Sequence, residues 1–363
     1  MNNVCLSNPF MLRHQFLSYL YLVKWILISQ FIFIGLHIAF SFLLKPILTF
    51  SGKRKEKKLA AFKSYLIKAI QQKKEFSIPL FAGCKCNIPF LVPLILKVNE
   101  EVKDSHWETL KKSISQNLLF PQAKKLTYSK KWTKRVQAAG CYLHFPDTNN
   151  EPEVLYLLQD PVPIIKYSAA ACAAKLGTYK SANAVIDAMS CNRFLRHPFQ
   201  EALLGGNPKS FDHIEKRFEK ETDPYKRVSC LEVLAHKMNS HIVDLAEKDL
   251  YAAHLNLRIA AIRALGHFFE PRSISLLLPL LKAPEWEVKA IAARSLGYLK
   301  AEEAVSELLN LLKDKTWWVR MNSALALKRI GDKGIKTLNQ VNPKEDRYAY
   351  EAAQFALKVD LYE

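Results

Sequence analysis

The sequence predicts an all-α chain: a single N-terminal transmembrane helix followed by an α-solenoid of about seven helix-pair repeats with a period of about 31 residues. Three observations predict it. Twenty consecutive residues, Trp25 to Leu44, carry no formal charge. A basic residue in similar surroundings then recurs from Arg135 to Arg320 at intervals of 31, 30, 31, 31, 31 and 31. Small residues and leucines follow each of these positions at offsets of three, four and seven, which mark one face of a helix.

Residues 1–24 form a short N-terminal flank to the first of these features. The stretch WILISQFIFIGLHIAFSFLL, residues 25–44, matches a bilayer core in length, because twenty helical residues rise about 30 Å. Lys24 and Lys45 bracket it, and Trp25 stands where an interfacial aromatic belongs. The run is longer than the apolar core of a cleaved signal peptide, and the basic cluster follows rather than precedes it. A retained anchor is therefore expected.

Residues 45–75 read as a basic juxtamembrane segment and helix. Lys53, Arg54, Lys55, Lys57 and Lys58 outweigh the two basic residues ahead of the span. The positive-inside rule then places everything after residue 50 in the cytoplasm, at the inner membrane in a bacterium, with these five side chains on an anionic leaflet. The net charge of +19 is concentrated here: residues 51–140 hold 20 basic against 6 acidic side chains, while residues 141–363 hold 30 against 28. Residues 76–120 read as degenerate helical pairs. Their apolar runs 78–82 and 88–98 are interrupted by Pro79, Pro89 and Pro93 and are too short to span a membrane.

The repeat array is expected over residues 121–345, with a capping helix over 346–363. Its anchors are Arg135, Lys166, Arg196, Arg227, Arg258, Lys289 and Arg320. Three and four residues on lie Ala138/Ala139, Ala169/Ala170, Ala261/Ile262, Ala292/Ala293 and Ser323/Ala324, small enough to admit a neighbouring helix. Phe199/Gln200 and Cys230/Leu231 break that pattern. Leu203, Leu234, Leu265, Leu296 and Leu327 follow at offset seven and fill the core. Gly177, Gly266, Gly297 and Gly331 read as C-cap glycines. Asp160, Asp223, Glu285 and Asp314 precede an anchor by four to six residues, where each can cap a helix and meet a basic side chain. One such pair cannot bury its own apolar face, but stacked pairs can.

This pattern resembles the HEAT-like repeats, in the short form also called phycobilisome-lyase-type. The resemblance is strongest from Arg258 to Gly331. It implies an α-solenoid that binds protein partners. It also implies a distant link to polysaccharide or glycosyltransferase systems, and a tetrapyrrole lyase or chaperone role as an alternative.

Chemistry is hard to find. The chain has no P-loop, dinucleotide or nucleophile-elbow motif and no His-Glu dipeptide. Seven cysteines follow no recurring spacing, so neither a disulfide framework nor a metal site is expected, and Cys84-Lys85-Cys86 lacks a second ligand pair. No catalytic residue, metal or cofactor is assigned. The expected function is that of a membrane-tethered scaffold, with Trp317, Trp318 and Arg320 as the partner-binding residues and the seven anchors as a structural row. Of the two Trp side chains, one is expected between repeats and the other near the surface. The competing reading is a nucleic-acid binder using the basic segment 51–140, where KKLTYSKKWTKR interleaves aromatics with lysines. The near-neutral array beyond residue 140 disfavours it, since a binder carries its charge along the groove.

Overall fold

A computed structural model describes residues 24–25, 28–37, 60, 63–64, 66–68, 70–72, 87–192, 194–237 and 239–360. Within the expected span, residues 28–37 are helical, with exposed side chains that include Phe31, Ile32 and Phe33. Ten helical residues rise about 15 Å, half a bilayer core. No helix among the described residues is long and apolar enough to cross a membrane, so the expected transmembrane helix is not found there. Lys53, Arg54, Lys55, Lys57, Lys58 and the Cys84–Cys86 pair lie outside the described residues.

The chain divides into two compact units, residues 1–84 with 93–112, and residues 85–92 with 113–363. In the first, Leu66, Ile70, Leu94, Val98 and Trp107 are buried, and the Trp107 indole donates to Asn99 Oδ1 at 3.3 Å. The proline-interrupted run that suggested short helices is one helix, α1 (Ile88–Glu101), with Pro93 inside it. α2 (Ser105–Ile114) follows.

The second unit begins with α3 (Phe120–Thr127) and continues as seven antiparallel pairs. The anchors lie on α4 (Trp132–His144), α6 (Pro163–Leu176), α8 (Arg196–Leu204), α10 (Pro224–Leu234), α12 (Leu255–His267), α14 (Trp286–Tyr298) and α16 (Trp317–Ile330). Their partners are α5 (Glu151–Leu158), α7 (Tyr179–Cys191), α9 (Lys209–Phe218), α11 (His241–Glu247), α13 (Pro271–Leu277), α15 (Val305–Leu311) and α17 (Asp332–Asn339). α18 (Arg347–Lys358) packs on α16 and α17 and closes the stack. Each anchor helix lies against the next along the array.

Local sequence explains the boundaries. Pro163, Pro224 and Pro271 open their helices at a position whose N–H has no helical partner. Asp223 caps α10 by accepting from the Tyr225 amide at 2.8 Å, and Asp346 caps α18 by accepting from the Ala349 amide at 2.9 Å. Gly177, at φ +63°, ends α6 in the left-handed conformation.

The core consists of the small residues and leucines of the period. Ala138, Ala170, Ala261, Ala293 and Ala324 are buried, as are Leu203, Leu234, Leu265, Leu296 and Leu327. Each buried leucine contributes about 1.5–3 kcal/mol over exposure. Gly266 and Gly297 are not C-caps. Both lie inside their helices, where an added Cβ would sit 2.5 Å from Ser295 Oγ and 2.6 Å from Ala326 Cα respectively. They are contact glycines that set how closely α12, α14 and α16 approach. At that distance Ser295 Oγ reaches back to donate to the Ile262 carbonyl at 3.1 Å.

One repeat departs from the others. α8 has 9 residues and begins at its anchor Arg196, whereas in α14 and α16 the anchor is the fourth helical residue. α8 therefore lacks its first turn, and Phe199, fully buried, fills the place of the usual alanine.

Candidate interaction surface

The anchor side chains bind the array to itself. Arg135 donates through Nε to Asp160 Oδ2 at 2.5 Å and through Nη1 to the Ser129 carbonyl at 2.9 Å. Arg227 donates to the Glu221 carbonyl at 2.8 Å and to Asp249 at 2.8 Å, with its guanidinium 4.1 Å from the centre of the Phe218 ring. Arg258 donates to the Ala252 carbonyl at 3.0 Å and to Glu285 at 2.7 Å, and Lys289 pairs with Asp314. The arrangement repeats: Arg135, Arg227 and Arg258 each tie the loop ahead of their own helix to a carboxylate at the threshold of the following anchor helix. Burial pushes the Asp314 carboxyl up, but the Lys289 hydrogen bond and the Thr316 amide more than offset this, leaving it below the ordinary range. Asp160 is held low in the same way by Arg135 and the Val162 amide.

The row has two irregular members among those with a described partner. Arg196 pairs with Glu232, on α10 itself, and its Nη2 is buried without a partner. Asp223 caps α10 as expected but forms no salt bridge with a basic side chain among the described residues. Arg320, at the end of the row, donates to the Asp314 carbonyl at 2.9 Å and lies 5.1 Å from the Tyr348 ring centre on α18. It holds the cap and is not a free contact residue. Lys166 is half-buried on α6.

Trp317 and Trp318 are both on the surface, 50% and 55% exposed, with ring centres 4.6 Å apart and planes at 77°. Neither is enclosed between repeats, because both occupy the first turn of α16, where the neighbouring helix has not yet covered them. They belong to a larger set. Two or three residues ahead of the anchors stand Trp132, Ile164, Phe194, Tyr225, Trp286 and the Trp317–Trp318 pair, all exposed and all at one edge of the array. In the sequence each is a single apolar residue two or three positions ahead of its anchor, except for the adjacent Trp317 and Trp318. Where α8 lacks its first turn this edge opens into an apolar groove of about 550 Å³ lined by Pro163, Ile164, Tyr167, Leu195 and Pro198. At the first rung the edge is also basic: Lys125, Lys130, Lys131 and Lys134 are exposed around Trp132 and Tyr128.

A second row runs across the anchor helices one to two turns further on. The rings of His236, in the turn after α10, and His267 (α12) are 5.2 Å apart. The Tyr298 ring (α14) has Arg294 at 5.5 Å and Arg329 of α16 at 4.5 Å, and its hydroxyl lies 3.1 Å from Arg294 Nη2. Crowding by protein lowers the Arg263 guanidinium and the His267 imidazole, and the neighbouring positive charges Arg294 and, for His267, His236 add to it. Both side chains are nonetheless exposed.

Over residues 274–358 the chain matches the HEAT repeats family model. A crystal structure of a Kap121p mutant superposes with a TM-score of 0.54 at 11% identity, covering 73% of this chain. The second unit is a HEAT-like solenoid. The chain spans 35% of the length of that Kap121p structure, so the likeness concerns the fold alone. Human deoxyhypusine hydroxylase in complex with glycerol aligns at 18% identity and TM-score 0.29, covering 69% of this chain and 98% of that one. The CpcE–CpcF complex of phycocyanin lyase from Nostoc aligns at 18% identity and TM-score 0.33, covering 60% of this chain and 91% of that one. No curated protein matches the sequence. Among the described residues no three His, Cys, Asp or Glu side chains are grouped to hold a metal.

Proposed function

We propose that this protein is a membrane-tethered interaction scaffold without catalysis. Residues 25–44 anchor it, residues 53–58 lie on the anionic leaflet, and the cytoplasmic solenoid docks a protein partner along its apolar edge. The observation that carries the reading is that edge: six of the seven repeats, all but that of Arg258, place a large apolar side chain there, and a soluble surface gains nothing by repeating them. The tether is supported by the twenty uncharged residues and by the asymmetry of basic flanks.

The test has two arms. A C-terminal reporter active only in the cytoplasm, followed by a carbonate wash, reads the tether; a soluble chain would sink it. Photo-crosslinking from positions 317 and 318 reads the edge. The double variant Trp317→Ala/Trp318→Ala is expected to weaken partner capture at least tenfold, on the order of 1.4 kcal/mol or more, with helicity unchanged. Undiminished capture by that variant would remove the edge from the reading.

A further inference from the structure

The cationic row across α12, α14 and α16 is unmatched by carboxylates, although Arg294 and Arg329 contact the Tyr298 ring. The anchors are consumed by carboxylates and loop carbonyls, yet Arg263, Arg294 and Arg329 have no carboxylate in salt-bridge contact among the described residues. Glu232, the acid nearest Arg263, is engaged by Arg196 at 2.5 Å. Burial, and after it the neighbouring Arg294 and Arg196 charges, lower the Arg263 guanidinium. His236 and His267 continue the row on its other side, with Gln200 Nε2 3.1 Å from His236.

We propose that this row binds an extended acidic segment of a partner protein, with carboxylates at about every third residue seated on Arg263, Arg294 and Arg329. The proposal rests on the scaffold reading but on neither the tether nor the apolar edge. Three facts select the occupant. Planar guanidinium groups recognise carboxylates by paired N–H donors. Helices packed side by side lie about 8–10 Å apart, and three residues of extended chain span about 10 Å. The Tyr298 ring already has Arg329 over it at 4.5 Å and Arg294 at 5.5 Å, so it is not free as a stacking platform for a nucleic-acid base.

The experiment uses the full chain in detergent and a fluorescent twelve-residue peptide with glutamate at every third position, separated by serine and glycine. Anisotropy is read at low and physiological salt, at pH 8. Saturable binding is expected, weakening as salt is raised. The glutamine version of the peptide should bind at least tenfold more weakly. So should the peptide to Arg263→Gln/Arg294→Gln/Arg329→Gln, and Arg294→Gln alone should retain an intermediate affinity. Removing three exposed lysines elsewhere, Lys216→Gln/Lys220→Gln/Lys336→Gln, should leave binding unchanged. The proposal is overturned if the two triple variants lose binding equally, or if the peptide does not bind. It is also overturned if oligo(dT) or polyphosphate displaces the peptide and depends more strongly on the three arginines. None of these outcomes bears on the Trp317–Trp318 crosslinks, which report on the apolar edge separately.

Discussion

Replacing Gly297 with alanine tests the close helix approach on which the array depends. A Cβ at Gly297 would lie 2.6 Å from Ala326 Cα and 2.8 Å from its Cβ. A backbone atom and a one-carbon side chain cannot rotate aside, so α14 and α16 must move apart. Overpacking of this kind costs about 1–3 kcal/mol. Against it stands the helix propensity gained on leaving glycine, about 0.5–1 kcal/mol. Gly140 in α4 isolates the second effect, because a Cβ added there meets nothing within 4 Å. Gly140→Ala should therefore stabilise by about 0.5–1 kcal/mol. Propensity cancels between the two variants, so they should differ by the overpacking cost alone, about 1–3 kcal/mol. Urea titration followed by circular dichroism measures the difference. Amide exchange on α14 and α16 locates it, since repeat arrays can unfold in parts. Equal stability of the two variants, with equal protection of α14 and α16, would refute the packing argument.

Acid should loosen the inter-repeat ties: Asp160 and Asp314 have depressed carboxyls, so their stabilisation is complete above the unfolded aspartate value near pH 4 and is lost as pH falls below it. Asp314→Asn should flatten that pH dependence in a series of melts from pH 7 to pH 3, and an unchanged slope would count against the tie. Burial pushes the Cys141, Cys172 and Cys230 thiols up to about 12, whereas Cys191 is exposed. Maleimide labelling of the native protein at pH 8, read by mass spectrometry, should modify Cys191 and spare those three until denaturant is added. Arg227→Lys keeps the charge but cannot serve Asp249 and two carbonyls while stacking on Phe218, so it should cost about 1–3 kcal/mol in urea titration. A loss below about 0.5 kcal/mol would mean that charge alone suffices.

The sequence made the array legible because its period is set by packing. Small residues at offsets three and four and leucine at seven are dictated by how near a neighbouring helix comes, and they recur wherever that distance recurs. Gly266 and Gly297 were misleading because a glycine near a helix end reads as a terminator. What distinguishes them is the neighbour they touch, which lies 29 residues away in both cases. The short α8 had a visible sign in Phe199, whose bulk at a small-residue position already required a different helix start. The apolar edge was legible only at Trp317 and Trp318, where two rings adjoin. At the other repeats it is a single residue that local sequence cannot separate from core. The cationic row was hidden by summation: residues 141–363 are close to neutral, yet among the described residues no carboxylate forms a salt bridge with Arg263, Arg294 or Arg329.

The irregular third repeat has a mechanical consequence. Where an arginine or lysine latches onto the threshold of the next helix, neighbouring pairs resist being tilted apart. At α8 that latch is replaced by a grip on the last turn of α10, and the turn that would brace it is missing. Compliance is therefore concentrated at one joint, with stiffer arms on either side. Under load, or when the molecule bends to accommodate a bound partner, the array should flex at α8 before any other joint gives.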